Sequence, residues 1–529
     1  MGRPWKLSFI SAIASFAMTG LAAAEVVYHR GNAGEPKTLD QHQTSIDVEK
    51  NVLKDLYEGL VAYNPKGEII PGVAESWSIG GDGTVYTFKL RDAGKWSNGD
   101  PVKASDFVYS FRRIMNPATA AKYANLLYPI KNAEKVNKGE LKPEELGVKA
   151  ADDKTLVITL ERPTPYFLEL LQHQTGLPLH QASVEKFGKD FVKPGNLVSN
   201  GAYLLAENVP NDHIKLTKNP NYWNAKSVQI DTVFFYPTED NAAAVRRFMA
   251  GELDTNYQFP IDQLPFLREK LGAQVRTPPY LALEYYAINV TKPPFNDPRV
   301  RKALSMAVDR DYLAEKVWGG AALPAYNIVP PGLNGYALAD VDYKSLSQLD
   351  REDQAKALLK EAGYGPGGKP LKIEIRYNTN ESHKKTATAV ADMWKTVLGA
   401  EVTLLNTDVK THYAHLQNRG DFDVARAGWV ADYSDPQNFL FLGLSNNRVG
   451  NYSQYNSAAF DAAMAKSDVT IDPAERMKVL RTAEDTMMKD GPIIPLLNRA
   501  SLHLVSNRVK GWVDNVQNDH RSQDLRIER

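Results

Sequence analysis

Phe422-Asp423-Val424-Ala425-Arg426-Ala427-Gly428-Trp429-Val430-Ala431-Asp432-Tyr433 is, beyond Asp423, a run of small and apolar residues broken by one arginine and, six positions later, one aspartate. In an extended strand Phe422, Val424, Arg426 and Gly428 share a face. A guanidinium on that face and a carboxylate just past it are costly to bury unless something pairs with each. On these residues alone two readings stand side by side. Either Arg426 meets other side chains and Asp432 opens the turn at Ser434-Asp435-Pro436, or the two offer one positive and one negative group to a zwitterion.

The flanking sequence supplies the rhythm around this strand. Leu371 to Tyr377 reads as a strand, Thr386 to Val397 as a helix and Val402 to Leu405 as another strand, a βαβ order that predicts an α/β lobe with a mostly parallel sheet. Upstream, Val300, Leu304, Ala307 and Val308 mark a helix entered through Asn296-Asp297-Pro298, with proline near its first turn. Another helix runs through Ala355, Leu358, Leu359 and Ala362 to Gly363. Nearer the start, Val26 to Gly31 reads as a short strand, and Val52, Leu53, Leu56, Tyr57 and Leu60 lie on one helical face. Thr84 to Arg91 alternates after the Asp82-Gly83 turn, Ser105-Asp106 reads as a helix cap, and Thr155 to Leu160 as the strand after a second turn.

Composition narrows the function. The 529 residues carry 63 Lys and Arg against 63 Asp and Glu, with no cysteine. Such a length accommodates two or three domains, and a balanced charge argues against nucleic acid as a partner. Without cysteine there are no disulfides, Cys-ligated zinc, Fe–S clusters, thiol nucleophiles or lipid-modified N-terminal cysteine. Residues 1–24 place Arg3 and Lys6 before an apolar run from Leu7 to Leu21 and then Ala22-Ala23-Ala24, the pattern of a cleavable signal peptide. Removing it leaves 61 basic and 63 acidic residues, a net charge of −2. An exported chain with no lipid attachment is expected in the periplasm of a Gram-negative cell.

Motifs for catalysis or cofactors are absent or degraded. Gly363-x-x-x-x-Gly368-Lys369 is followed by Pro370 where a phosphate loop needs Ser or Thr, so it reads as a turn. His412 and His415 are three apart but have no HExxH pattern beside them. There is no G-x-S-x-G elbow. No cofactor, no metal and no catalytic residue are expected.

The chain resembles the oligopeptide-binding proteins of peptide ABC importers along essentially its whole mature length. The resemblance is carried by Asp55-Leu56-Tyr57-Glu58-Gly59-Leu60, Pro71-Gly72-Val73-Ala74-Glu75-Ser76-Trp77, Lys95-Trp96-Ser97-Asn98-Gly99, Asn200-Gly201-Ala202-Tyr203 and Pro293-Pro294-Phe295-Asn296-Asp297, and most closely by Arg426 to Tyr433. It implies a two-lobed periplasmic-binding-protein fold (cluster C, type II) of α/β class with an additional inserted domain, three domains in all. By position these are residues 25–57, 182–282 and 500–529 for lobe one, 58–181 for the inserted domain and 283–499 for lobe two, with crossings near 282 and 499. In such receptors the lobes close over the ligand and hand it to an inner-membrane ABC permease.

The same resemblance assigns roles. An aspartate at Asp432 meets the peptide ammonium, an arginine like Arg426 the carboxylate of a short peptide, and a histidine like His383 that of a longer one. Tyr123 lies near the peptide backbone, Trp429 lines a side-chain pocket, and Gly428, Val430, Asp47 and Tyr257 complete the ligand-facing set. The chain also departs from the enteric members. Ala282 and Val430 replace a cysteine pair, Trp318 a lysine, Lys410 a pocket tryptophan and Arg499 a pocket tyrosine. With Arg499 and Lys410 beside Arg426, an acidic guest such as a murein tripeptide is the alternative ligand, and a monomer is expected. A sugar, opine, nickel or haem carrier of the same fold, or a secreted hydrolase, are the competing readings; Asp432 argues against a neutral sugar, and no nucleophile or metal constellation supports hydrolysis.

Overall fold

The computed structural model describes Gly2 and residues 25–528, apart from Ser45 and Val449. The expected signal peptide therefore lies, apart from Gly2, outside the described residues. Three main sheets organise the rest, of seven, six and four strands.

In the seven-stranded sheet, β1 (Val27–Gly31) runs parallel to Thr232–Tyr236 on one side and to Thr255–Asn256 on the other. Against it lies helix α1 (Asp47–Leu56), whose first turn holds Asp47 and Glu49 and whose last holds Lys54, as the helix dipole favours. Its apolar face, Val52, Leu53 and Leu56, is fully buried. The expected helical face runs on to Leu60, but the helix stops at Leu56, and Tyr57 is extended at φ −127°. Gly201 packs there so closely that a Cβ would come within 2.6 Å of the Leu56 carbonyl.

The four-stranded sheet is antiparallel, with Ala74–Ile79, Val85–Leu90, Thr155–Thr159 and Val148–Asp152 as neighbours. Asp82 accepts the Thr84 N–H at 3.0 Å in its tight turn. The helix expected to be capped at Ser105-Asp106 begins at Ala104; Asp106 instead accepts the Lys103 N–H from inside the first turn. Phe88 of this sheet and Phe107 of the helix Ala104–Met115 share one continuous core with Tyr28 of β1 and Leu53 of α1. The two sheets are therefore one packed body.

The six-stranded sheet has cores of its own. Its centre is β2 (Pro279–Ile288), flanked by β5 (Val424–Val430) and β6 (Ile493–Ala500), both antiparallel to it. Outside β5 come β3 (Lys372–Asn378) and β4 (Glu401–Thr407), parallel to each other and joined by α3 (Glu381–Leu398). The expected βαβ unit is present, but the sheet is mixed rather than mostly parallel, because three of its five pairings are antiparallel. Asn380 caps α3 by accepting the Ser382 and His383 N–H groups, and Gly399 ends it in the left-handed region at φ +65°. Thr386, Val390 and Trp394 face the core.

The chain leaves the first sheet after Arg276 and joins the six-stranded one at Pro279; it returns between Ala500 and His503. Ala282 and Arg499, near which the crossings were expected, lie inside the strands just beyond. Two separately packed bodies are thus linked by two short connections.

Candidate functional site

The register of β2 against β5 builds the first half of the site. Tyr286 pairs with Arg426, Glu284 with Gly428 and Ala282 with Val430. Glu284 is 4% exposed. Arg426 donates to it from Nε at 3.0 Å and also from Nη2, while Arg499 of β6 reaches its other oxygen from Nε at 2.7 Å. Arg426 Nη1 donates to the Tyr413 hydroxyl at 3.0 Å and to Asn378 at 3.3 Å. Burial pushes the Glu284 carboxyl up, but the two guanidiniums outweigh it and hold the group below the usual carboxylate range. Gly428 makes the meeting possible, since a Cβ there would stand 2.8 Å from Arg426 Nη2 and 3.3 Å from Glu284 Oε1.

His383, in the first turn of α3, places Nε2 3.9 Å from the same carboxylate. Burial and then the Arg426 charge lower its pKa to about 4, so the ring is neutral near pH 7. Its Nδ1 has no hydrogen-bond partner among the described residues. One carboxylate against two guanidiniums leaves an excess positive charge, and Arg499, with 39% of its side chain exposed, carries it toward solvent.

The second half is a cavity of about 670 Å³ between the two bodies. Asp47, Tyr123, Tyr257, Trp429, Val430 and Asp432 all line it, drawn from both sides. Asp47 is already engaged: Lys50 lies 2.8 Å away and holds its carboxyl low, and Tyr257 donates to it at 2.8 Å. Trp429 donates its indole N–H to Asn438 at 2.8 Å and sits edge-on to Phe441. Tyr123 is half-buried against His173; burial and then the Asp432 charge raise its hydroxyl pKa.

Asp432 differs from its neighbours. Its side chain is open to the cavity, with no hydrogen bond or ion pair to any described residue. The protein around it removes enough water to raise its pKa to about 6. Elsewhere on the wall, Lys54 approaches Asp519 to 3.3 Å and keeps that carboxyl at about 2 against the pull of burial.

The remaining expected residues stand apart. Lys410 is exposed on the helix Val409–Gln417, and Trp318 is buried in the core beside α3, donating to Thr386 at 3.1 Å. Neither lines the cavity, and the Arg426, Gly428, His383 and Arg499 cluster also lies outside its lining. His412 and His415 spend Nε2 on the carbonyls of Arg426 and Asp421, each at 2.8 Å. Glu284 escaped the sequence reading, although it is the lone acid in Leu281 to Ile288 and so carried the same signal as Arg426.

The model of the bacterial extracellular solute-binding proteins, family 5, matches residues 68–451. The chain is 41% identical to the periplasmic oligopeptide-binding protein OppA of Escherichia coli over 505 residues, covering 95% of this chain and 92% of that protein. It superposes on the unliganded open form of the murein tripeptide-binding protein MppA with a TM-score of 0.90 at 39% identity, covering 96% and 98% of the two chains. On Haemophilus influenzae OppA in complex with the peptide RPPGFSPFR the TM-score is 0.71, again at 39% identity, with 96% and 99% covered.

Proposed function

The chain belongs to family 5 of the bacterial extracellular solute-binding proteins, a family of substrate-binding receptors, and from that premise we propose that it captures oligopeptides between its lobes and delivers them to an inner-membrane ABC permease, catalysing no reaction itself. The supporting observation is Asp432, a carboxylate without a cation in the cavity between the bodies. A zwitterionic peptide brings an ammonium that satisfies it, and closure then excludes water from the pair. Arg426, fixed by Glu284, and Arg499 beside it supply the positive end. In this reading the protein works as a periplasmic monomer after its leader is removed at Ala24. Residues 25–57, 182–282 and 500–529 form lobe one, 58–181 the inserted domain and 283–499 lobe two.

Calorimetry with Ala-Ala-Ala tests the assignment. Asp432→Ala is expected to weaken binding by roughly 3–5 kcal/mol, because the enclosed ammonium loses its partner. An unchanged affinity would make Asp432 a turn residue.

A second cargo is favoured by one observation, the excess cation of the Glu284, Arg426 and Arg499 cluster. It suits a guest with additional carboxylates, such as the murein tripeptide that the open-form relative binds. Equal or tighter binding of a neutral tripeptide than of murein tripeptide would remove that preference.

A further inference from the structure

Four acids line the interlobe cavity, and two of them have cations: Asp47 has Lys50 at 2.8 Å and Asp519 has Lys54 at 3.3 Å. Asp432 and Glu169 have none among the described residues. Glu169 sits on α2 (Phe167–Leu170) of the body that carries the four-stranded sheet, across from the lobe that carries Asp432. The Asp432 segment nonetheless shares its wall, because Tyr433 and Ser434 line the same cavity and Tyr433 stacks on Tyr166, three residues before Glu169, with ring centroids 5.1 Å apart. The hydrogen-bond partner of Glu169 is the Tyr63 hydroxyl, at 2.5 Å. The two carboxyl groups without a cation thus line one cavity, on segments that the Tyr166–Tyr433 stack joins.

A further observation on the same segment calls for a donor. Gln174 lines the cavity, is 2% exposed, and its side-chain carbonyl oxygen has no hydrogen-bond partner among the described residues. A buried acceptor in that state is costly until a donor reaches it. An α-ammonium satisfies Asp432 alone. The wall as built has capacity for one more cationic donor next to it.

We propose that Glu169, with Gln174 in the same cavity wall, is the specificity-determining site for the first side chain of the guest and selects peptides that begin with lysine, ornithine or arginine. This rests on reading the cleft as a peptide site. The groups facing Glu169 account for its empty state: burial raises its pKa to about 8, the Tyr63 hydroxyl and the Ser434 backbone oppose that, Asp435 adds to it and Lys54 opposes it. Near pH 7 the carboxyl is protonated and costs little in an empty cleft. A guest ammonium or guanidinium ionises it on arrival, and the proton leaves to solvent.

The test is calorimetry at pH 7 with Lys-Ala-Ala, its Nε-acetyl derivative and Ala-Ala-Ala, in two buffers of different ionisation enthalpy. The full chain is expected to bind Lys-Ala-Ala roughly tenfold tighter than either other peptide and to release more protons with it. Glu169→Gln keeps an acceptor for Tyr63; it should abolish both differences and leave Ala-Ala-Ala binding unchanged, which also reports a folded protein. Equal affinities in the native chain, or a lysine advantage that survives Glu169→Gln, would overturn the assignment while leaving a peptide receptor intact. Failure of all three peptides to bind would overturn the receptor reading and this one with it.

Discussion

At the scale of single residues, titration separates the three unusual groups of the cleft. Asp432 sits at about 6, His383 at about 4 and Glu169 at about 8. Between pH 7 and 5, therefore, only Asp432 changes state, since the ring stays neutral and Glu169 stays protonated. The termini of a neutral tripeptide also hold their charges across that range. An incoming ammonium favours ionised Asp432, so its pKa in the complex lies below that of the empty site. Affinity for Ala-Ala-Ala is accordingly expected to fall as the pH drops from 7 to 5, approaching tenfold per unit below 6, and calorimetry across the range reads it directly. Asp432→Asn should bind weakly and flatten the profile; a native profile that is already flat would separate Asp432 from the ammonium. Arg426 and Asp432 were legible in the sequence because each is a charge in an apolar run. That Arg426 pairs with Glu284 and Asp432 with nothing was not, because a partner 142 positions away is chosen by register.

Secondary-structure elements carry that register. The strands expected from alternation and the helices expected from apolar spacing are present, among them Val85–Leu90, Thr155–Thr159, Pro298–Met306 and Gln348–Glu361. Their direction of pairing was harder to read. Pro279–Ile288 and Ile493–Ala500 are apolar runs that look alike whichever way a neighbour runs, and their contact joins segments some two hundred residues apart. The antiparallel half of the lobe-two sheet was missed for that reason. Once the pairing is known it fixes side chains to the residue: Ala282 lies directly opposite Val430, the two positions where the enteric relatives are expected to carry cysteines. Directly opposed antiparallel residues have Cα atoms about 4.5–5.5 Å apart, within the range a disulfide spans. The double variant Ala282→Cys with Val430→Cys is thus expected to purify from an oxidising compartment without free thiols, and to gain about 2–4 kcal/mol against urea relative to its reduced form. Two titratable thiols in the folded protein would show that the strands pair in another register.

For the whole molecule, the decisive contrast is between two relatives at the same 39% identity. The superposition is much closer on the unliganded open form than on the peptide complex, with TM-scores of 0.90 and 0.71. Sequence divergence is equal in the two cases, so what differs is the arrangement of bodies, and this chain is described in the open one. Packing gives the reason such a motion is available. The seven- and four-stranded sheets share a continuous core, the six-stranded sheet has separate cores, and two short connections join them, with Ala321 and Tyr433 among the few side chains of the six-stranded body that pack against the other. A hinge there costs little, because it leaves the main cores packed. It also explains why Asp432 is open to water although the binding reading needs it enclosed: the second wall arrives only on closure. Adding a saturating tripeptide should therefore shrink the radius of gyration measured by solution X-ray scattering. It should also stabilise the protein by about 2.7 kcal/mol at a hundredfold excess over Kd. In Asp432→Ala the same concentration of peptide is expected to leave most molecules open, since the free energy that drives closure comes from the contacts closure completes. Full compaction of that variant at the same concentration would mean that the lobes close on something other than the ammonium.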